Sequence, residues 1–263
     1  MNTTKQKSSR QRHKTVIITG GGSGIGLDTA RKLLEQEDYR VVLVGKNRER
    51  LQEAVETLDA SPDRLSIAEC DLADAASIQA TINKLVATHP SIWGLVNNAG
   101  IYPFGGLGTT TSESWDETFM VNLKAPFLMI QGIAPYLAKN PDGGRIVNVS
   151  STAGILPNHF ALAYSVSKAA LITLTRTLAK ELGKENITVN CVCPGIVKSP
   201  LHEAYHTSRT DLESFYAKRG AAFPLGRVGE PQDISGIIRY FLSEEASWVT
   251  GDIFIADGGR LLL

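Results

Sequence analysis

Seven short runs dominated by β-branched and other apolar residues recur along this chain, and six stretches of helical character lie among them. The runs are Val16–Thr19, Val41–Val44, Leu65–Cys70, Trp93–Val96, Arg145–Val149, Ile187–Cys193 and Ile253–Ala256. Helical patterning fills residues 25–36, 48–58, 75–88, 114–138, 163–182 and 231–242, with Pro126 and Pro135 inside the fourth. Strands without polar alternation are buried on both faces, the condition of a parallel sheet covered by helices above and below. Right-handed crossovers then wind the chain into an α/β doubly wound parallel sheet. No Pro/Ser-rich linker or internal repeat divides it, so residues 14–263 read as a single domain. The least regular stretch, residues 194–225, lacks one clear period and reads as a long substrate loop.

Composition narrows the function classes. Hydrophobic residues make up 43% and charged residues 21%, a globular balance that excludes a disordered chain, a collagen-like repeat or a coiled coil. The 27 basic and 27 acidic residues leave no global surplus to attract nucleic acid. Residues 1–14 are the exception, with Lys5, Lys7, Arg10, Arg12 and Lys14 and no acid. Residues 1–13 read as a solvated, disordered basic tail, although a basic, acid-free segment also fits a mitochondrial-type presequence. No apolar segment follows it to make a secretory signal, and no run reaches the roughly 18 residues of a membrane span. The expectation is a cytoplasmic protein with no membrane or nucleic-acid partner. Cys70, Cys191 and Cys193 lie in or beside apolar runs without metal-site spacing and read as reduced core thiols, with no metal.

Between the first run and the first helix lies Thr19-Gly-Gly-Gly-Ser-Gly-Ile-Gly26. Glycines there permit a tight turn and let backbone approach a pyrophosphate at the helix N-terminus. The spacing does not fit G-x-G-x-x-G, but it fits T-G-x-x-x-G-x-G through Thr19, Gly20, Gly24 and Gly26. Asp71 follows the third run and Asn97-Asn-Ala-Gly100 the fourth; Asn122 lies in the long helical region. Ser151, Tyr164-Ser-Val-Ser-Lys168, Pro194-Gly195 and Asp257-Gly-Gly259 come next in order. On this ordered set the chain resembles the short-chain dehydrogenase/reductase family, in its compact branch, over roughly residues 14–259. The resemblance implies a Rossmann fold and oxidoreduction of a CH–OH group.

Tyr164 and Lys168, four apart, share one helical face. A nearby ammonium favours the phenolate and lowers a tyrosine's pKa, which suits proton exchange with a substrate oxygen. Ser151 can hydrogen-bond the same oxygen; its neighbour Ser150 should point to the opposite face. The resemblance makes Asn122, Ser151, Tyr164 and Lys168 the catalytic set, with Lys168 also on the nicotinamide ribose and Asn122 fixing a water. It further implies a nicotinamide site from Gly20, Ser23, Gly24, Ile25 and Gly26, then Lys46, Asn47 and Arg48. Asp71 and Leu72, then Asn98, Ala99 and Gly100, continue it beside the adenosine. Pro194, Gly195, Val197 and Ser199 complete it with Tyr164 and Lys168. A non-catalytic nucleotide-binding scaffold would lack the Tyr or the Lys, and both are present.

NAD-using relatives carry an acid at the end of the second strand for the ribose 2′-OH. Here that position is Gly45, followed by Lys46 and Arg48, which suit a 2′-phosphate. The expectation is NADP(H), with NAD left open because Ser23 stands where many NADP-users have a basic residue. Phe104, His159 and Phe160, with Tyr102, Pro103, Leu156 and Asn158, are expected near the substrate, a small to medium ketone, aldehyde or alcohol. The alternatives are a 3-oxoacyl carrier-protein reductase and an NAD-dependent alcohol, polyol or steroid dehydrogenase. Asp142 and Glu185 align with the carrier-attracting arginines of such reductases, and acids there would repel an acidic carrier. The resemblance, together with the apolar ending Arg260-Leu-Leu-Leu263, leads us to expect a homotetramer with the tail near an interface.

Overall fold

A computed structural model describes residues 13–203 and 208–263; the basic tail expected over residues 1–13 lies, but for His13, outside the described residues. The chain begins with β1 (Lys14–Thr19), α1 (Gly24–Leu34), β2 (Tyr39–Gly45), α2 (Arg48–Leu58), β3 (Leu65–Glu69), α3 (Ala75–Thr88) and β4 (Ile92–Asn97). It continues through α4 (Ser112–Phe119), a π-helical turn (Met120–Lys124), α5 (Ala125–Leu137), β5 (Gly144–Val149), α6 (Leu162–Leu182) and β6 (Ile187–Pro194). The last elements are α7 (Pro200–Glu203), α8 (Arg209–Ala221), α9 (Pro231–Leu242) and β7 (Ile253–Ala256).

The strands form one parallel sheet in the order β3-β2-β1-β4-β5-β6-β7. Alternate residues of each strand feed opposite faces. Ile17, Val42, Val44 and Leu95 pack against α3, α5 and α6, whereas Val16, Ile18, Leu43 and Val96 pack against α1, α2 and α9. Both faces of the central strands are buried, which is why they read as unbroken apolar runs, whereas the edge strand β7 is left partly open. The strand order reverses between β1 and β4, and a doubly wound sheet opens a crevice at that point, outside the C-terminal strand ends.

Two expectations change. The single helix over 114–138 is two α-helices joined by a π turn, in which Ala125 N–H bonds back five residues to Met120 C=O. Pro126 explains the change, because it has no N–H to send back to the Asn122 carbonyl as an α-helix would. The stretch 194–225 is not a plain loop, since it holds α7 and α8. Ser208 Oγ caps α8 by accepting Asp211 N–H at 3.1 Å. Of α8's side chains only Tyr216 is buried, and it packs with Phe223 and Val228 in a small cluster of its own. An α8 so weakly anchored leaves no strong period in the sequence.

Candidate active site

The glycine turn and the loop after β4 meet at the switch point. Thr19 Oγ1 accepts the N–H groups of Asn98 and Ala99 at 3.0 and 3.2 Å. Asn98 Nδ2 donates back to the Thr19 and Gly20 carbonyls at 3.0 and 3.2 Å. Gly20 has φ +64, and a Cβ on it would lie 3.0 Å from Ala99 Cα. Ser23 N-caps α1 without a side-chain hydrogen bond, so the first N–H groups of that helix stay available to an anion. These features fit a dinucleotide pyrophosphate.

A cavity of 1220 Å³ runs from this turn across the C-terminal ends of β4, β5 and β6. Gly20, Ser23, Gly24, Ile25, Asn98, Ala99 and Gly100 line one part, and Pro194, Gly195, Val197 and Ser199 another. Ser151, Tyr164 and Lys168 line its centre, with Phe104, His159 and Phe160 beyond them. Gly26 instead packs under Gly20, whose carbonyl oxygen lies 2.5 Å from where a Cβ on Gly26 would sit. Asn122 is wholly buried; it pairs with Ile101 through Oδ1 and Nδ2, each at 2.9 Å, and donates to Ser167 Oγ at 3.2 Å. Only Gly100 has room between Asn122 and Lys168, because a Cβ there would sit 3.2 Å from Asn122 Oδ1 and 3.4 Å from Lys168 Nζ.

The two adjacent serines have different tasks. Ser150 Oγ donates to the Lys168 carbonyl at 2.8 Å, tying β5 to α6. Ser151 Oγ accepts Ala153 N–H at 3.1 Å and hydrogen-bonds Tyr164. Lys168 Nζ donates to the Val149 carbonyl at 2.9 Å and stands 5.7 Å from the Tyr164 ring centre. The expected lowering of the Tyr164 pKa is reversed. Burial pushes this phenol up to about 12 against the Ser151 hydrogen bond, and burial pushes Lys168 down to about 8. Near neutral pH Tyr164 therefore keeps its proton, the form that can protonate a carbonyl oxygen.

At the adenosine end the expected residues and the cavity lining differ. Lys46, Asn47, Arg48, Asp71 and Leu72 are outside the cavity lining, whereas Arg50 is in it. Lys46 pairs with Asp71, and Asn47 caps α2 by accepting Arg50 N–H at 2.7 Å. Arg50 sits one helical turn beyond the strand end, beside Gly22, so inspection of the strand end alone misses it. Tyr102, His202, Phe215, Arg219 and Arg260 also line the cavity. The last four come from α7, α8 and the C-terminus, which no local pattern ties to Tyr164.

Asp142 and Glu185 are not beside the entrance. Each lies two residues before a strand, β5 and β6, whose far ends lead to Ser151 and Pro194. At about 3.3 Å per residue the strands hold them some 20 Å from the site. They therefore say nothing about a carrier docking at the cavity mouth.

The sequence profile described as short chain dehydrogenase matches residues 14–210. This chain is a member of the short-chain dehydrogenase/reductase family. It is 35% identical to human dehydrogenase/reductase SDR family member 4 over 248 residues, 94% of this chain and 87% of that one. It is also 35% identical to the 3-oxoacyl-[acyl-carrier-protein] reductase FabG of Thermotoga maritima, over 95% of this chain and 98% of that one. A solved short chain dehydrogenase/reductase family protein superposes with a TM-score of 0.82 at 30% identity, covering 96% of this chain and all of the other. Like its relatives, this family member is a dehydrogenase/reductase acting on CH–OH groups. No described helix is long and apolar enough to cross a membrane, and no group of potential metal ligands occurs among the described residues. The three cysteines are free and buried.

Proposed function

We propose that this family member is an NADP(H)-dependent oxidoreductase that interconverts a small or medium ketone, or aldehyde, with its alcohol. One observation carries the reading: the Ser151–Tyr164 pair and Lys168 meet midway along a cavity that also holds the glycine turn and Arg50. A nicotinamide nucleotide, when bound, supplies or accepts the hydride. Ser151 and Tyr164 receive the substrate oxygen, and Tyr164 gives its proton to that oxygen in reduction and takes it back in oxidation. Lys168, fixed on the Val149 carbonyl, places a positive charge beside the phenol and stabilises the phenolate left after proton transfer. Asn122, braced by Ile101 and Ser167, sets the wall behind Gly100. Free buried thiols support a cytoplasmic setting, and we propose a homotetramer.

Following NADPH absorbance across a panel of carbonyls and alcohols tests this reading. Tyr164→Phe keeps the ring but removes the proton, and turnover should fall about 10²–10⁴-fold or further while NADPH still binds. Turnover close to the parent's would overturn it.

A further inference from the structure

The cavity has an uneven charge. Arg50, Lys168, Arg219 and Arg260 line it, and among its described lining residues there is no Asp or Glu. Arg50 belongs to the glycine-turn end and Lys168 to the catalytic centre. Arg219, on α8, and Arg260, from the C-terminal turn, remain for the substrate end.

Arg260 is aimed inward. Its Nη1 donates to Thr152 Oγ1 at 2.7 Å, and Thr152, itself fully buried, is the residue after Ser151. A guanidinium has five N–H donors, and Arg260 has no other hydrogen-bond acceptor and no carboxylate within 4 Å among the described residues. The nearest acid in sequence, Asp257, is engaged by the Gly259 and Leu261 N–H groups at 2.9 and 2.8 Å. Arg219 rests on the Phe215 ring at 5.6 Å and forms no ion pair among the described residues. Tyr102, whose ring centre lies 4.6 Å from that of Tyr164 in an edge-to-face arrangement, lies within the field of both arginines. A cleft lined by one sign of charge draws in the opposite sign, and a planar guanidinium fork matches a carboxylate.

We propose that the substrate is a small oxo acid or hydroxy acid whose carboxylate is bound by Arg260, with Arg219 at the rim, while its reacting oxygen rests on Ser151 and Tyr164. This rests on the oxidoreductase reading above.

The test compares 4-oxopentanoate and acetoacetate with their methyl esters, which keep the carbonyl and lose the charge. The intact enzyme should favour each acid over its ester by about tenfold or more in kcat/KM. Arg260→Gln should collapse that preference toward unity, Arg260→Lys should restore part of it, and Arg219→Gln should reduce it less. Equal use of acid and ester, or a preference unmoved by both Gln variants, overturns the proposal. So does a preference for a 3-oxobutanoyl thioester on an acyl carrier protein over the free acid. Calorimetry of 4-oxopentanoate binding to the NADP-loaded protein gives a readout without turnover. Tight binding that Arg260→Gln abolishes, with no carbonyl reduced, would refute the oxidoreductase reading and keep the acid site. Reduction of neutral ketones without any preference for acids would do the reverse.

Discussion

Lys46 Nζ lies 2.8 Å from Asp71 Oδ2, joining the ends of β2 and β3. Their shared hydrogen bond raises the lysine's pKa and lowers the aspartate's. A lysine already matched by a carboxylate presents little net charge to a 2′-phosphate. Arg50 lines the cavity and forms no ion pair among the described residues. Arg50→Gln should therefore cut the NADPH-over-NADH ratio of kcat/KM by about tenfold, a change of ~1.4 kcal/mol, and by more than Lys46→Gln does. The reverse order would return the phosphate to Lys46.

Burial of Lys168 couples stability to pH. Its pKa falls from 10.5 to about 8 on folding, so between those values the unfolded chain holds a proton that the folded chain has lost. Stability from this group rises with pH across that window, and below pH 8 the full cost of burying the charge is present. Tyr164 acts oppositely: its pKa rises from 10.0 to about 12, so stability falls as pH climbs between those values. Lys168→Met should melt at a higher temperature than the parent at pH 7, with the gap closing towards pH 10, and should lose turnover. A gap that widens with pH would contradict this.

Two glycines should respond in opposite directions to alanine. A Cβ on Gly26 would sit 2.5 Å from the Gly20 carbonyl oxygen and 2.7 Å from Asn98 Nδ2. Gly26→Ala should cost roughly 1–3 kcal/mol and weaken nucleotide binding by pushing α1 from the turn. Gly236, inside α9, has nothing within 4 Å, and Gly236→Ala should add roughly 0.5–1 kcal/mol by restricting the unfolded chain. Urea titrations of both variants check the pair.

The chain ends in exposed apolar surface: Leu262 and Leu263 are 85% and 75% exposed, and Phe254 and Ile255 on the edge strand β7 are also open. Burying a leucine contributes roughly 1.5–3 kcal/mol. If the proposed tetramer forms, a chain ending at Arg260 should dissociate from it at higher concentrations than the intact chain, as measured by light scattering. A monomeric intact chain would refute the assembly, and an unchanged tetramer would refute the tail's part in it.

The sheet was legible because its central strands are buried on both faces, and Tyr164, Lys168 and Ser151 because their positions are local and ordered. Arg50, Arg219 and Arg260 were not, because crossovers and the returning C-terminus bring them to the cavity from distant segments. The sequence around Pro126 reads as one continuous helix, and only backbone hydrogen bonding reveals a π turn at Asn122. Asp142 and Glu185 misled because an alignment does not say which end of a parallel strand a residue occupies.

The separate cluster of Tyr216, Phe223 and Val228 under α8 has a consequence for how such an enzyme can diversify. The main cores hold the sheet and the nucleotide turn, while the wall that carries Phe215 and Arg219 draws on its own few contacts. Substitutions on the exposed face of α8 can therefore change what the enzyme recognises, whereas Tyr216, whose hydroxyl accepts Ser199 N–H at 3.4 Å, anchors that wall. Selectivity and chemistry become separately adjustable parts of one polypeptide.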